Sequence, residues 1–242
     1  MRTTRILSAA TALVAGILIV STVPTHAASA GTLNVPGDFD ASLSDTRATG
    51  HYDVIDGGLR VWTDGATGTD KVAEYVATRT LLSGVTNTGL ETTTNSGSIP
   101  PGYQLVVDLD ADGDNDGVLV GETVYSGNWW LGGHKNFVVD PAVAANPATP
   151  RTGGGGGPLN GTLAQWASAY PQATVTAFGF SLGSGVLGDY TIRSITFNET
   201  RYTFAEDVTL TSKNQCKDGG WATSTKPVFK NQGDCVSSFA RG

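Results

Sequence analysis

Short runs of alternating apolar and polar residues, separated by Gly-, Asn- and Asp-rich turns, fill most of the chain after residue 50. This period-of-two pattern is that of strands with one buried face. Tyr52, Val54, Leu59 and Val61 flank Asp56-Gly57-Gly58, a hairpin signal. Residues 71–80 (KVAEYVATRT) alternate as a strand, and Tyr103, Leu105, Val107 and Leu109 share one face of the clearest strand. Further strands are expected at 118–125, 128–131, 136–139, 173–180, 190–197 and 201–204, with a Thr/Ser/Gly-rich loop over 87–101. One stretch has helical period instead. In TLAQWASAY, Leu163, Trp166, Ala167 and Tyr170 fall on one face, Thr162 and Gln165 have capping-box spacing, and Pro171 stops the helix. Residues 140–159, with four prolines and an unbroken Gly153–Gly157 run, read as a long surface loop. No repeat of propeller or solenoid length is visible. The pattern predicts an all-β chain: an antiparallel, jelly-roll-like β-sandwich with one short helix and a small C-terminal tail.

The N-terminus has a different character. MRTTR, an apolar run and the small-residue exit THAASAG form the layout of a secretory signal peptide over residues 1–30, with an uncleaved anchor as the alternative. The sandwich is then expected over 31–210 and the tail over 211–242, in a secreted or cell-envelope-associated protein. No later apolar run is long enough to span a bilayer. Removing Arg2 and Arg5 takes the formal charge from −7 to −9, which argues against nucleic acid and anionic lipid as partners. Charge is uneven: residues 31–210 carry 20 acids and 8 bases, whereas 211–242 carry 5 bases and 2 acids. The basic tail residues Lys213, Lys217, Lys226, Lys230 and Arg241 either face an anionic envelope polymer or solvate the tail and pair with the acidic body. The tail also holds the only two cysteines, Cys216 and Cys235. In an exported chain one such pair usually forms a disulfide, worth about 3 kcal/mol for a short loop in the chain-entropy model. Two free thiols or a metal pair are the alternatives, although no His or further Cys stands nearby.

Three constellations carry candidate chemistry. Gly179-Phe180-Ser181-Leu182-Gly183 matches the G-x-S-x-G nucleophile elbow, which requires a helix after the serine and a histidine base. Here Gly183-Ser184-Gly185 leads into strand-like YTIRSITF, and the mature chain's histidines, His51 and His134, both lie upstream. A Gly-rich turn between two strands is therefore expected, and no catalytic residue is assigned. In VVDLDADGDNDG, Asp108, Asp110, Asp112, Asp114 and Asp116 crowd five carboxylates together. The spacing resembles calcium loops, but Leu119 stands where an EF-hand needs its bidentate Glu, and strands replace the helices. A calcium-stapled hairpin with a structural ion is one reading; a solvated acidic tip is the other. Trp129 and Trp130 point to opposite faces of one strand, so that one can be core and the other a platform for a sugar ring. The alternative is that both pack internally or against the long loop.

The tail segments Cys216-Lys217-x-Gly219-Gly220-Trp221 and Phe229-Lys230-Asn231-Gln232-Gly233-Asp234-Cys235-Val236-Ser237 resemble the C-terminal end of a group of exported actinobacterial proteins of unassigned function. PPGYQLVVDLD and TLAQWASAYPQATVTAFGFSLGSGV in the body are similar to such proteins as well. The resemblance implies export and a Cys216–Cys235 bridge, and brings no catalytic residues. The functional expectation is a non-catalytic β-sandwich that binds cell-wall glycan. The alternatives are a secreted hydrolase, with carboxylates drawn from Glu74, Glu122 and Asp189, and a structural surface protein without a small ligand.

Overall fold

The structure is a computed structural model that describes residues 29–240; residues 1–28 of the expected signal peptide 1–30, and residues 241–242 with Arg241, lie outside the described residues. Twelve strands run in order: β1 (Ser29–Val35), β2 (Gly50–Ile55), β3 (Gly58–Thr63), β4 (Lys71–Leu81), β5 (Gly89–Ser96), β6 (Gly102–Asp108), β7 (Gly117–Gly121), β8 (Trp129–Gly132), β9 (Asn160–Gly161), β10 (Thr174–Gly183), β11 (Gly188–Phe197) and β12 (Thr200–Glu206). Three short helices, α1 (Pro141–Ala145), α2 (Leu163–Ala169) and α3 (Gln232–Ser238), complete the regular elements with three 3-10 turns.

The strands form two facing sheets, a β-sandwich. The back sheet has the order β4-β10-β6-β7-β8-β9, antiparallel throughout. In the front sheet β5 lies along one edge of β11, while β3 and β12 share the other: Gly188–Ile192 pair with β3, and Ile195–Phe197 pair with β12. Beyond them β2 pairs β3, and β1 pairs β12 in parallel, the one departure from the expected antiparallel order. The chain changes sheet between β3 and β4, again on either side of β5, and again between β10 and β11, which gives the jelly-roll-like character.

Alternation explains the core between the sheets. Tyr103, Leu105 and Val107 of β6, Leu119 of β7 and Phe178 of β10 meet Ile195 and Phe197 of β11. At one end α1 and α2 add Val143, Trp166 and Tyr170 to the same core. The predicted capping box of α2 is formed: the Thr162 side chain accepts from Gln165 N, and the Gln165 side chain accepts from Thr162 N. Trp166 is fully buried and its Nε1 donates to the Trp129 carbonyl at 3.0 Å.

Several boundaries differ from the sequence reading. The strand expected over 118–125 ends at Gly121, where Thr123–Tyr125 wind into a 3-10 turn. Residues 136–139 contribute only a lone bridge between His134 and Phe137. Most of the expected 87–101 loop is strand β5: its Thr-rich sequence suits an exposed edge, whose polar side chains leave no apolar period to read. One helix is expected and three occur among the described residues; α1 has only five residues, and α3, QGDCVSS, is too polar to display an apolar period.

The tail folds around the expected Cys216–Cys235 bridge, with a Cα–Cα distance of 5.8 Å. Phe229, Leu210, Trp221, Val236 and Phe239 gather on the two buried cysteines as a hydrophobic cluster separate from the sandwich core. Because Trp166 anchors α2, Trp166→Ala should cost about 3–5 kcal/mol, read as a lower midpoint in urea denaturation followed by circular dichroism.

Candidate binding groove and acidic hairpin

Ser181 lies inside β10, opposite Ala73 of β4 and Gly102 of β6. Its Oγ donates to the Gly183 carbonyl at 3.2 Å. The chain then turns through Gly185 into β11, with no helix between the two strands. Both glycines of the motif have local structural reasons. A Cβ on Gly179 would overlap the Glu74 carbonyl of the neighbouring strand, and Gly183 has a φ of +101° with Asp70 O only 2.6 Å from the place a Cβ would occupy. The sequence match therefore arises from close strand packing and a left-handed turn.

Neither histidine serves Ser181. His51 is on β2 of the front sheet, stacked on Trp62 at 5.0 Å with Nε2 3.0 Å from Asp64. His134 lines the same groove as Ser181, but both of its nitrogens are engaged: Nε2 donates to Leu43 O at 2.9 Å, and Nδ1 accepts from Asn136 N at 3.2 Å. The ring packs between Phe137 and Tyr75, and burial holds its pKa below the ordinary value. The carboxylates proposed for a hydrolase are likewise dispersed. Glu74 accepts from Ser44 and Thr46 beside β4, Asp189 is paired with Arg60 at 2.8 Å, and Glu122 follows β7. Burial raises the pKa of Glu74 and Glu122, whereas the Arg60 hydrogen bond lowers that of Asp189.

The groove on the outer face of the back sheet has a volume of about 390 Å³. Alternation places Gln104, Val118, Val120, Trp130 and Ser181 on this face, and residues 43–47 and 133–137 wall it in. The segment 40–47 reaches this position by pairing with the free edge of β4, where Asp40 N, Asp45 N and Arg47 N donate to Tyr75 O, Ala73 O and Lys71 O. This covers an edge that would otherwise be open to another strand. It also sets Asp45, 1% exposed, against Lys71 Nζ at 2.6 Å, while Arg47 Nε lies 3.3 Å from the other oxygen without hydrogen-bond geometry. Gln104 Oε1 accepts from the Tyr75 hydroxyl, which leaves its amide N–H groups free to turn into the groove.

The two tryptophans separate as alternation requires. Trp129 is buried in the core between the sheets, edge-on to Tyr103 at 5.8 Å. Trp130 faces the opposite way, half-buried, and lines the groove. The glycine run lies against it: a side chain on Gly156 would overlap the indole, and one on Gly155 would overlap the Tyr125 ring. Trp130 Nε1 is buried and has no hydrogen-bond partner. Sequence reasoning missed Gln104, whose signal is a polar residue between the apolar Tyr103 and Leu105, and the Asp45–Lys71 pair, which joins distant segments and leaves no sequence signal.

At the far end of β6, Asp108, Asp110 and Asp116 bring carboxylate oxygens within 4.8 Å of one another and could hold a metal ion. Asp112 and Asp114 do not join them; each lies at the exposed tip, where Asp112 accepts from Asp114 N. Backbone amides fix the three: Asp108 accepts from Ala111 N and Gly113 N, Asp110 Oδ1 from Asp112 N, and Asp116 Oδ2 from Leu109 N and Asp110 N. Burial, with the neighbouring carboxylates adding to it, raises the pKa of Asp110 and Asp116.

Among the described residues no helix is long and apolar enough to cross a membrane. Comparison with family models, with curated proteins and with solved structures gave no match. The elbow-like motif itself yields a prediction. Gly179→Ala should destabilise the fold by more than 1 kcal/mol, whereas Ser181→Ala should stay within about 1 kcal/mol of the parent in chemical denaturation.

Proposed function

We propose that this chain is an exported, non-catalytic β-sandwich protein that binds cell-wall glycan in the groove on the outer face of the back sheet. The observation that carries the reading is Trp130. Its indole lies beside Gln104, Ser181 and the Asp45–Lys71 pair, and its buried N–H has no acceptor under a cover of glycine backbone. An unpaired buried donor costs about 1–3 kcal/mol, so a ligand hydroxyl reaching it as the glycine run lifts gains what the free protein lacks. The flat indole suits the apolar face of a sugar ring, and the fixed polar groups suit its hydroxyls. The disulfide fits an oxidising compartment outside the cytosol. The resemblance of the tail to exported actinobacterial proteins points the same way.

Calcium is the cation we propose for Asp108, Asp110 and Asp116, as a structural staple of the β6–β7 hairpin. The donors are all hard oxygens on a Gly-containing loop, the ligand type this ion takes. The ion would neutralise carboxylates that now repel one another at close range. Its role would be to fix the hairpin.

Two measurements test these readings. In pull-downs on chitin, cellulose and peptidoglycan, the parent chain should be retained on at least one polymer. Trp130→Ala should lose that retention while keeping its fold, and Trp62→Ala on the front sheet should keep both. Trp129→Ala, a core truncation, should instead lower stability by about 3–5 kcal/mol. Retention by none of the polymers favours the structural surface protein.

For the hairpin, about 10 mM calcium should stabilise the parent by about 1–3 kcal/mol in thermal unfolding, as expected for an extracellular site of millimolar or submillimolar affinity. Asp116→Asn should remove that gain. The sign reverses without calcium. A carboxyl whose pKa is raised in the fold disfavours its ionised form there, so stability falls as pH rises through its range. In chelator at neutral pH, Asp116→Asn should therefore be at least as stable as the parent. A calcium response that survives the substitution, or a variant that is weaker in chelator, defeats the assignment.

A further inference from the structure

A second concavity lies apart from the Trp130 groove. A cleft of about 560 Å³ runs between β5 of the front sheet and the β6–β8 part of the back sheet. Its inner wall is aromatic and fixed. The Tyr103 hydroxyl is already bonded to Thr196 O at 2.9 Å, so this residue offers its ring, and Trp129 stands edge-on to it. Leu90, Pro100 and Pro101 add apolar surface, and Ile99 and Val124, 51% and 71% exposed, form an apolar rim. A single charged side chain, Glu122, enters the cleft beside Tyr125. No Lys, Arg or His lines it.

We infer that this cleft binds one molecule of a neutral, largely apolar ligand with a single hydrogen-bonding end, the end meeting Glu122 and the body lying on Tyr103, Trp129 and Leu90. Volume supports a small molecule, since sites of several hundred Å³ hold ligands of that size. The chemistry of the lining sets the class. An anionic ligand such as a fatty acid would bring its carboxylate to Glu122 with no cation to compensate, a like-charge contact in a partly desolvated site. A sugar would find Thr88, Thr92, Ser98, Thr123 and Asn128 in the lining, but its hydroxyls over the Tyr103, Trp129 and Leu90 wall would be left without partners. An alcohol or amide on a hydrocarbon or aromatic body satisfies both constraints, because the Glu122 carboxylate accepts the hydrogen bond the ligand donates. Exposed apolar side chains at the rim of a concave apolar surface are the usual mark of such a site. The inference is independent of glycan binding. Glu122 also borders the Trp130 groove, so the test spares it and uses Ile99 and Val124, which line only the cleft.

The test is a fluorescence titration of the full chain with N-phenylnaphthylamine, a neutral probe that brightens in apolar surroundings. Saturable binding of one probe per chain is expected. The double variant Ile99→Asp/Val124→Asp should weaken it by about tenfold or more, the effect of losing one buried aliphatic contact. Val138→Asp, at a 75% exposed position away from the cleft lining, should leave it unchanged. At about pH 8, where carboxylates are ionised, dodecanol should displace the probe at concentrations about tenfold or more below those of laurate. If the double variant fails to fold by circular dichroism, Val124→Asp alone carries the comparison. Absence of saturable binding, binding indifferent to the rim substitutions, or displacement by laurate as effective as by dodecanol overturns the inference.

Discussion

Burial of the back sheet on both of its faces is the constraint from which the rest of the structure follows. All seven residues of β6 are buried, including Gln104, Val106 and Asp108 on the face turned away from the front sheet. A two-layer sandwich normally leaves that outer face to solvent. Here Val106, Val118, Val120 and Ala177 make it apolar, and Leu43 and Phe137 cover it from segments that belong to neither sheet. Those segments pack densely only over the apolar part. Where the face turns polar, at Gln104 and Ser181, they stand apart and leave the groove. Cover and groove are thus products of one pattern of side chains.

Most of the polar side chains inside this arrangement are held by partners. Glu74 is 2% exposed, yet it receives hydroxyls from Ser44 and Thr46; Asp45 receives Lys71; Tyr75 gives its hydroxyl to Gln104. A buried charge without such partners would cost several kcal/mol. Trp130 Nε1, like Asp45 Oδ1 and the Tyr190 hydroxyl, is buried without a hydrogen-bond partner, and the neighbouring Gly153–Gly157 backbone covers it without side chains of its own.

The sequence disclosed the parts whose physics is local. Alternation located β6, β10 and β11, the i, i+3, i+4, i+7 pattern and Thr162 located α2, and the cysteine pair located the bridge. Opposite pointing of successive strand residues separated Trp129 from Trp130. Elements stabilised by distant partners were hidden. Strand β5 is held by β11 roughly a hundred residues later in the chain, and its Thr92, Thr93 and Thr94 carry no apolar period. Tyr125 continues the apolar alternation of β7, but the extended run ends at Gly121 and Thr123–Tyr125 wind into a 3-10 turn closed by Ser126 at φ +51°. Asp112 and Asp114 seemed equivalent to Asp108 and Asp116 by spacing; what distinguishes them is depth, as the hairpin buries its base and exposes its tip.

The parallel ladder between β1 and β12 constrains the order of assembly. Ser29 pairs with Thr200 and Val35 with Glu206, so the first strand of the body is completed by the last. A chain delivered N-terminus first must thread out nearly its whole length before that ladder can zip. Until then β1 has no complementary strand among those already delivered, and the front sheet remains open along β12's side. Late closure of so long a loop is entropically slow, and it leaves β1 without its ladder partner until the far end of the chain arrives.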